Sequence, residues 1–214
     1  MGPVIDAYLN RLRALLTETG YRGELLIMLS HGGVASVTEA TRLAAATALS
    51  GPAGGVAAAV ALARAGVGQD LIAFDMGGTS TDIALIRDGA PGLADDKTVA
   101  GARIALPGLD IVTLGAGGGS IGYRNMAGLL SVGPESAGAV PGPACYGQGG
   151  EQPTVTDANL VLGFLDPGNF LGGRKRLDRC AAEAAIGRLA ERLGLSPAEA
   201  AEGCLLYTSP SPRD

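Results

Sequence analysis

The chain has 214 residues, 47% hydrophobic and 17% charged, which is enough to bury one large core or two small ones. A net charge of −5, five Tyr, three Phe and no Trp argue against nucleic acid or an anionic membrane surface as a partner. Cys145, Cys180 and Cys204 are odd in number and widely spaced, so neither a disulfide framework nor a metal-ligand pair is expected, and a reduced, cytoplasmic setting is.

Val4 to Glu18 places Val4, Ile5, Leu9, Leu12 and Leu16 at helical spacing, and Gly20 and Gly23 bracket the expected end. The start lacks the basic residues and long apolar core of a signal peptide. Leu25 to Leu29 is expected to be a short buried strand, Ser30-His31-Gly32-Gly33 a turn, and Thr38 to Leu49 an alanine-rich helix. Ser50-Gly51-Pro52-Ala53 predicts a further helix start, with Ser50 as capping hydroxyl and Pro in the first turn, running to about Arg64 and stopping at Gly66. Its apolar stretch, Val56 to Ala65, is too short to span a bilayer. Leu71 to Phe74 then predicts a strand, Asp75 to Thr81 a turn and Ile83 to Ile86 a return strand. Helix alternating with strand over residues 1–89 is the signature of an α/β fold.

The 35 glycines, about twice the usual share, gather in clusters between apolar runs and predict tight turns. From 90 to 173 only short apolar pieces occur, notably Ile111 to Leu114 and Leu129 to Val132, which predicts a β-rich, loop-rich region. Residues 174–203 are expected to be helical. Asp178 to Leu193 carries a helical pattern, and Ser196, Pro197 and Glu199 form a capping box that starts another helix. That helix is expected to break after Gly203. Residues 204–214 carry two prolines and are expected to be a non-family tail, excluded from the fold.

The chemistry concentrates in Asp75-Met-Gly-Gly-Thr-Ser-Thr-Asp82, at the end of an apolar strand. Gly77 and Gly78 permit positive φ and let backbone N–H groups approach phosphate oxygens, with Thr79 and Ser80 adding hydroxyls. Asp75 suits the hydration shell of Mg²⁺, and Asp82 suits orienting a water. The competing reading is a plain Gly-Gly hairpin whose Asp and Thr side chains merely satisfy the turn.

This turn, with the small-residue helix before it, resembles the phosphate-2 turn of the actin, heat-shock chaperone and sugar kinase superfamily. Further blocks are similar to the hydantoinase A and 5-oxoprolinase family: Leu25 to Gly33, Asp110 to Ile121, Gly133 to Gly147 and Pro153 to Gly163. Together these blocks extend the resemblance from about Val4 to Gly203. The resemblance implies an α/β fold that is part of an actin-like (ribonuclease-H-like) ATPase domain, with a β-rich, loop-rich insertion. It also implies ATP and Mg²⁺ as cofactors, and an internal fragment whose first phosphate turn lies elsewhere. Asp75 and Asp82 become catalytic residues, Asp75 also the metal ligand, and Gly77, Gly78, Thr79 and Ser80 hold the nucleotide. The activity implied is ATP-dependent opening of a cyclic amide such as 5-oxoproline or a hydantoin, with a hydantoinase B-type subunit or domain as partner. An ATP-dependent ketone carboxylase subunit is the enzymatic alternative, and a non-catalytic nucleotide-gated module the alternative of another class.

Gly117, Gly118, Gly119 and Ser120 also match a second glycine turn bordering the nucleotide, against the alternative of a tight turn where backbone packs on backbone. Gly117 to Gly122 nominally satisfies a dinucleotide fingerprint, but no apolar helix follows it. Thr154, Thr156, Asp157 and Asn159 form a polar cluster that faces a substrate or partner, or caps a helix through Thr156 or Asp157. Cys145 is expected to be a buried structural thiol, and His31 stands where the family often has Asn. Arg174 to Arg176 is expected to be a solvated loop.

Overall fold

A computed structural model describes residues 2–99 and 102–207. The fold is mixed α/β with small sheets. The chain divides into two compact units, Met1–Asp75 with Asp82–Val112, and Met76–Thr81 with Thr113–Asp214. These cuts fall elsewhere than the boundaries at 89 and 173 expected from composition.

In the first unit, α1 (Gly2–Glu18) is amphipathic and packs Leu9 and Ile5 with Leu29, Val37, Ala40 and Ala46. The strand expected near residue 25 is β1 (Leu26–Met28), which pairs antiparallel with a strand the sequence reading omitted, β2 (Val34–Ser36). Gly32, at φ +83°, makes the turn between them. Beyond β2 the expected single helix is two pieces, α2 (Val37–Arg42) and a 3₁₀ turn at Ala44–Thr47. The Ala46 carbonyl accepts from Ser30 N at 2.7 Å, a tertiary bond that competes with continued α-helix. Ser36 and Glu39 form a full capping box ahead of α2.

Helix α3 (Ser50–Arg64) buries Ala53, Val56, Val60 and Ala63, small residues at helical spacing. They pack against Ala84, Ile86 and Ala73 of the sheet that includes β3 (Leu71–Met76), β4 (Thr81–Arg87) and β5 (Ala90–Pro91). Ser50 is not the cap: Leu49, in the left-handed region at φ 60°, is, with no side-chain cap bond. Pro52 sits in the first turn, where its missing N–H has no intrahelical partner to lose. The unit is completed by β6 (Leu93–Ala94), the β7 (Lys97–Val99) and β8 (Ala102–Ile104) hairpin, and β9 (Gly108–Leu109), which pairs with β6. The short strand β10 (Val112–Leu114) carries the chain onward.

The second unit pairs β11 (Ser120–Arg124) with β12 (Leu130–Ser136). Over them lie α4 (Val155–Val161), α5 (Arg179–Leu193) and α6 (Pro197–Leu206). Ala158, Ile186, Leu189, Ala190, Ala200, Ala201 and Cys204 form its main core. The Ser196–Glu199 capping box opens α6 as the sequence predicts, and Asp178, where the helical pattern was expected to begin, is the cap of α5. Helix α6 does not break after Gly203. It runs to Leu206, and burial of Cys204 in the helical core explains the extension. The prolines of the expected tail lie outside the described residues. Among the described residues no helix is long and apolar enough to cross a membrane.

Candidate functional site

The turn between β3 and β4 is a tight exposed tip. Gly77 N donates to Ser80 O at 2.8 Å, which leaves Gly78 and Thr79 as a two-residue end. Neither Gly77 nor Gly78 has positive φ, so the conformational freedom expected of them is not used. Gly78 contributes open space instead: a Cβ built there meets no atom within 4 Å. Among the described residues the N–H groups of Gly78, Thr79 and Ser80 donate to no protein acceptor.

Beneath the tip lies the second glycine turn. Gly118 N donates to Gly77 O at 2.9 Å and Gly119 N to Gly78 O at 2.7 Å. Thr81 Oγ1 donates to Ala116 O at 2.6 Å. Peptide planarity gives these bonds a directional consequence, because in a trans peptide the C=O and N–H point opposite ways. Holding the Gly77 and Gly78 carbonyls on the lower turn aims the N–H groups of Gly78 and Thr79 away from it. The result is a pair of outward donors with fixed direction, the arrangement that favours an anion.

The lower turn has no such donors to offer. Gly117 N is bonded to Ser120 Oγ at 2.8 Å and Ser120 N to Gly117 O at 2.9 Å. With the Gly118 and Gly119 amides given to the tip, all four expected nucleotide contacts at 117–120 are occupied within the protein. Glycine is required here for proximity: a Cβ on Gly117 would stand 2.7 Å from Thr79 N and 2.8 Å from Gly77 O. The chain then enters β11 rather than a helix, which removes the dinucleotide reading.

The two carboxylates flanking the tip in sequence belong to the first unit. Asp75 is exposed, and Asp82 is half-buried. Both line a cleft of about 350 Å³ whose other walls include Pro52, Gly55, Ala59 and Leu62 of α3. Among the described residues no group of three His, Cys, Asp or Glu side chains can hold a metal by itself. A hydrated Mg²⁺ needs only one or two carboxylates beside substrate phosphates, and Asp75, exposed at the end of β3, fits that donor set.

Of the polar cluster near 157, the cap is Thr154, with Asp157 completing a capping box. Asp157 is fully buried and accepts from Ala144 N, Cys145 N, Thr154 N and Thr154 Oγ1 at 2.8–3.2 Å. It faces neither substrate nor solvent. Thr156 donates to Gly118 O through both its N–H and its hydroxyl, each at 2.8 Å. Sequence reasoning missed this contact; the Thr-x-Thr-Asp pattern showed a cap but not its distant partner.

Cys145 is buried, and burial, then the Asp157 charge, push its thiol above the ordinary range. Burial likewise raises Cys204 to about 11. His31 is exposed and accepts from Gly33 N. In the 174–176 loop, Lys175 lies 4.0 Å over the Tyr146 ring, while Arg174 and Arg176 are exposed.

The hydantoinase/oxoprolinase family model matches residues 1–209. The caprolactamase subunit alpha of Pseudomonas jessenii is 44% identical over 206 residues, covering 96% of this chain and 30% of that protein. The crystal structure of the ATP-dependent caprolactamase from the same organism superposes with a TM-score of 0.78 at 41% identity, covering 97% of this chain and 30% of that one. A nucleotide-free structure of acetone carboxylase, described in terms of ATP-dependent acetone carboxylation, superposes with a TM-score of 0.78 at 36% identity, covering 92% and 28%. The chain thus spans about 30% of the length of these relatives.

Proposed function

Because the chain belongs to the hydantoinase/oxoprolinase family, we propose that it supplies one nucleotide-phosphate turn of an ATP-dependent enzyme that opens cyclic amides. The observation that carries this reading is the exposed Gly78–Thr79 tip, whose outward N–H groups are held in direction by bonds to the buried turn below. Gly78, Thr79 and Ser80 take the phosphate oxygens. Gly117, Gly118, Gly119 and Ser120 act as the support of that contact, which their occupied amides favour over direct nucleotide binding. The fold proposed is an actin-like ATPase domain in a cytoplasmic protein.

An amide carbonyl is a weak electrophile, and ATP offers a way around this. Transfer of the γ-phosphoryl group to the carbonyl oxygen releases ADP. Water then adds at the carbon, the C–N bond opens with the nitrogen taking a proton, and a second water hydrolyses the resulting acyl phosphate to carboxylate and inorganic phosphate. Phosphoryl transfer depends on positioning and charge neutralisation more than on covalent chemistry by the protein. Mg²⁺, when bound, neutralises phosphate charge. Asp75 holds its hydration shell at the end of β3, and Asp82 orients a water or hydroxyl at the start of β4. A B-type subunit or domain is the proposed partner for the later steps.

A carboxylase reading is favoured by the likeness to acetone carboxylase. Release of ADP by the whole enzyme, measured with caprolactam, 5-oxoproline and hydantoin, and separately with acetone plus bicarbonate, discriminates. Release dependent on a lactam, with ring-opened product, supports the proposal. Release dependent only on the ketone shifts it to the carboxylases, and release with no product reduces the chain to a nucleotide-gated module.

A further inference from the structure

We propose that Thr156 is a positioning residue for the phosphate tip, acting through the Gly118–Gly119 peptide. This rests on the reading that the tip takes phosphate. Thr156 is the second residue of α4, where a helix amide has no intrahelical acceptor. That amide and the Thr156 hydroxyl both donate to the Gly118 carbonyl, each at 2.8 Å, and so use both of its lone pairs. Two donors from one residue fix the orientation of the Gly118–Gly119 peptide plane.

The constraint then passes outward through planar units. Gly119 N–H lies in the same peptide as the clamped carbonyl and donates to Gly78 O at 2.7 Å. Gly78 C=O in turn shares a peptide with Thr79 N–H, one of the outward donors. Two peptide planes and three hydrogen bonds, two of them on the Gly118 carbonyl, therefore join Thr156 to the phosphate-facing amide. The inner end is anchored independently, because Asp157 ties α4 to Ala144, Cys145 and Thr154 from a fully buried position. Glycine at 118 fits this role: a Cβ there would stand 2.8 Å from Thr156 Oγ1.

Thr156→Val keeps the shape and the backbone donor and removes only the hydroxyl. Amide hydrogen exchange at Gly118 and Gly119 should accelerate about tenfold, while Leu189 and Ala190 in α5 keep their wild-type rates. In the whole enzyme KM for ATP should rise by about the same factor, with KM for the amide substrate unchanged, and Thr156→Ser should restore both. Should the valine variant not fold, Thr156→Ala serves the same comparison. Unchanged exchange at Gly118 and Gly119 overturns the relay whatever the nucleotide does. Faster exchange with an unchanged KM for ATP overturns the phosphate reading of the tip and, with it, this role of Thr156.

Discussion

Two glycine turns stacked on each other differ in what surrounds them. The Gly77–Gly78 turn is exposed, and a Cβ at Gly78 would meet nothing. In the Gly117–Gly119 turn a Cβ at any of the three positions would lie under 3.0 Å from another group. In the first, absence of a side chain leaves open space. In the second, it leaves room for the first turn. On the proposed reading, similar composition serves recognition in one place and support in the other, and the difference between them is burial.

The largest test concerns the carboxylate beside the exposed turn. Asp75→Ala in the whole enzyme should lower kcat by about a thousandfold with the thermal midpoint nearly unchanged. Activity close to wild type would reduce the turn to a structural hairpin.

Paired alanine substitutions test the division of labour itself. Gly117→Ala drives a methyl into the tip backbone and should destabilise by about 1–3 kcal/mol in a denaturant titration, with loss of ATP binding. Gly78→Ala should change stability by less than about 1 kcal/mol, because its φ is already one that alanine accepts, yet it should still weaken ATP binding. Equal stability effects at the two positions would end the contrast between support and recognition.

Thiol reactivity gives a smaller, graded signal. Cys180 is exposed and should react with a maleimide at neutral pH, whereas Cys145 and Cys204 should stay unmodified until the chain is denatured. Mass spectrometry of the native protein showing Cys145 labelled first would contradict the buried Asp157 anchor.

The smallest effect is at the capping boxes. Bonds from the Ser36 side chain and backbone hold Glu39 below the usual carboxylate range, and Ser196 does the same for Glu199. A depressed folded pKa means stabilisation that is present above the unfolded value and lost as pH falls through the folded one. The thermal midpoint of Glu199→Gln should therefore lie slightly below wild type at neutral pH, and the gap should close in acid.

Much of the local structure was legible in the chain. Helices α1, α5 and the start of α6 followed from apolar spacing and from Ser196 as a cap, all interactions spanning a few residues. The Ser36–Glu39 box is of the same kind and was readable, yet the helix there was placed late and drawn too long. Its interruption depends on Ser30 reaching the Ala46 carbonyl, a contact that no local pattern encodes. The end of α6 was set too early for a similar reason, since Cys204 is retained by the helical core rather than by its own propensity.

The sequence by itself determined that a glycine-rich turn flanked by Asp75 and Asp82 joins two strands, and it determined the family through blocks spread along the chain. Strand propensity, turn chemistry and motif order are properties of neighbouring residues, so they can be read in one dimension. Only the tertiary structure decided that the amides at 117–120 are occupied, that Asp157 is an internal anchor, and that Thr156 grips Gly118. Those outcomes depend on hydrogen bonds between residues up to 41 positions apart, such as Gly118 to Gly77 and Gly119 to Gly78. Such partners are chosen by how the two turns stack, and composition alone does not distinguish a turn that meets solvent from one that meets backbone.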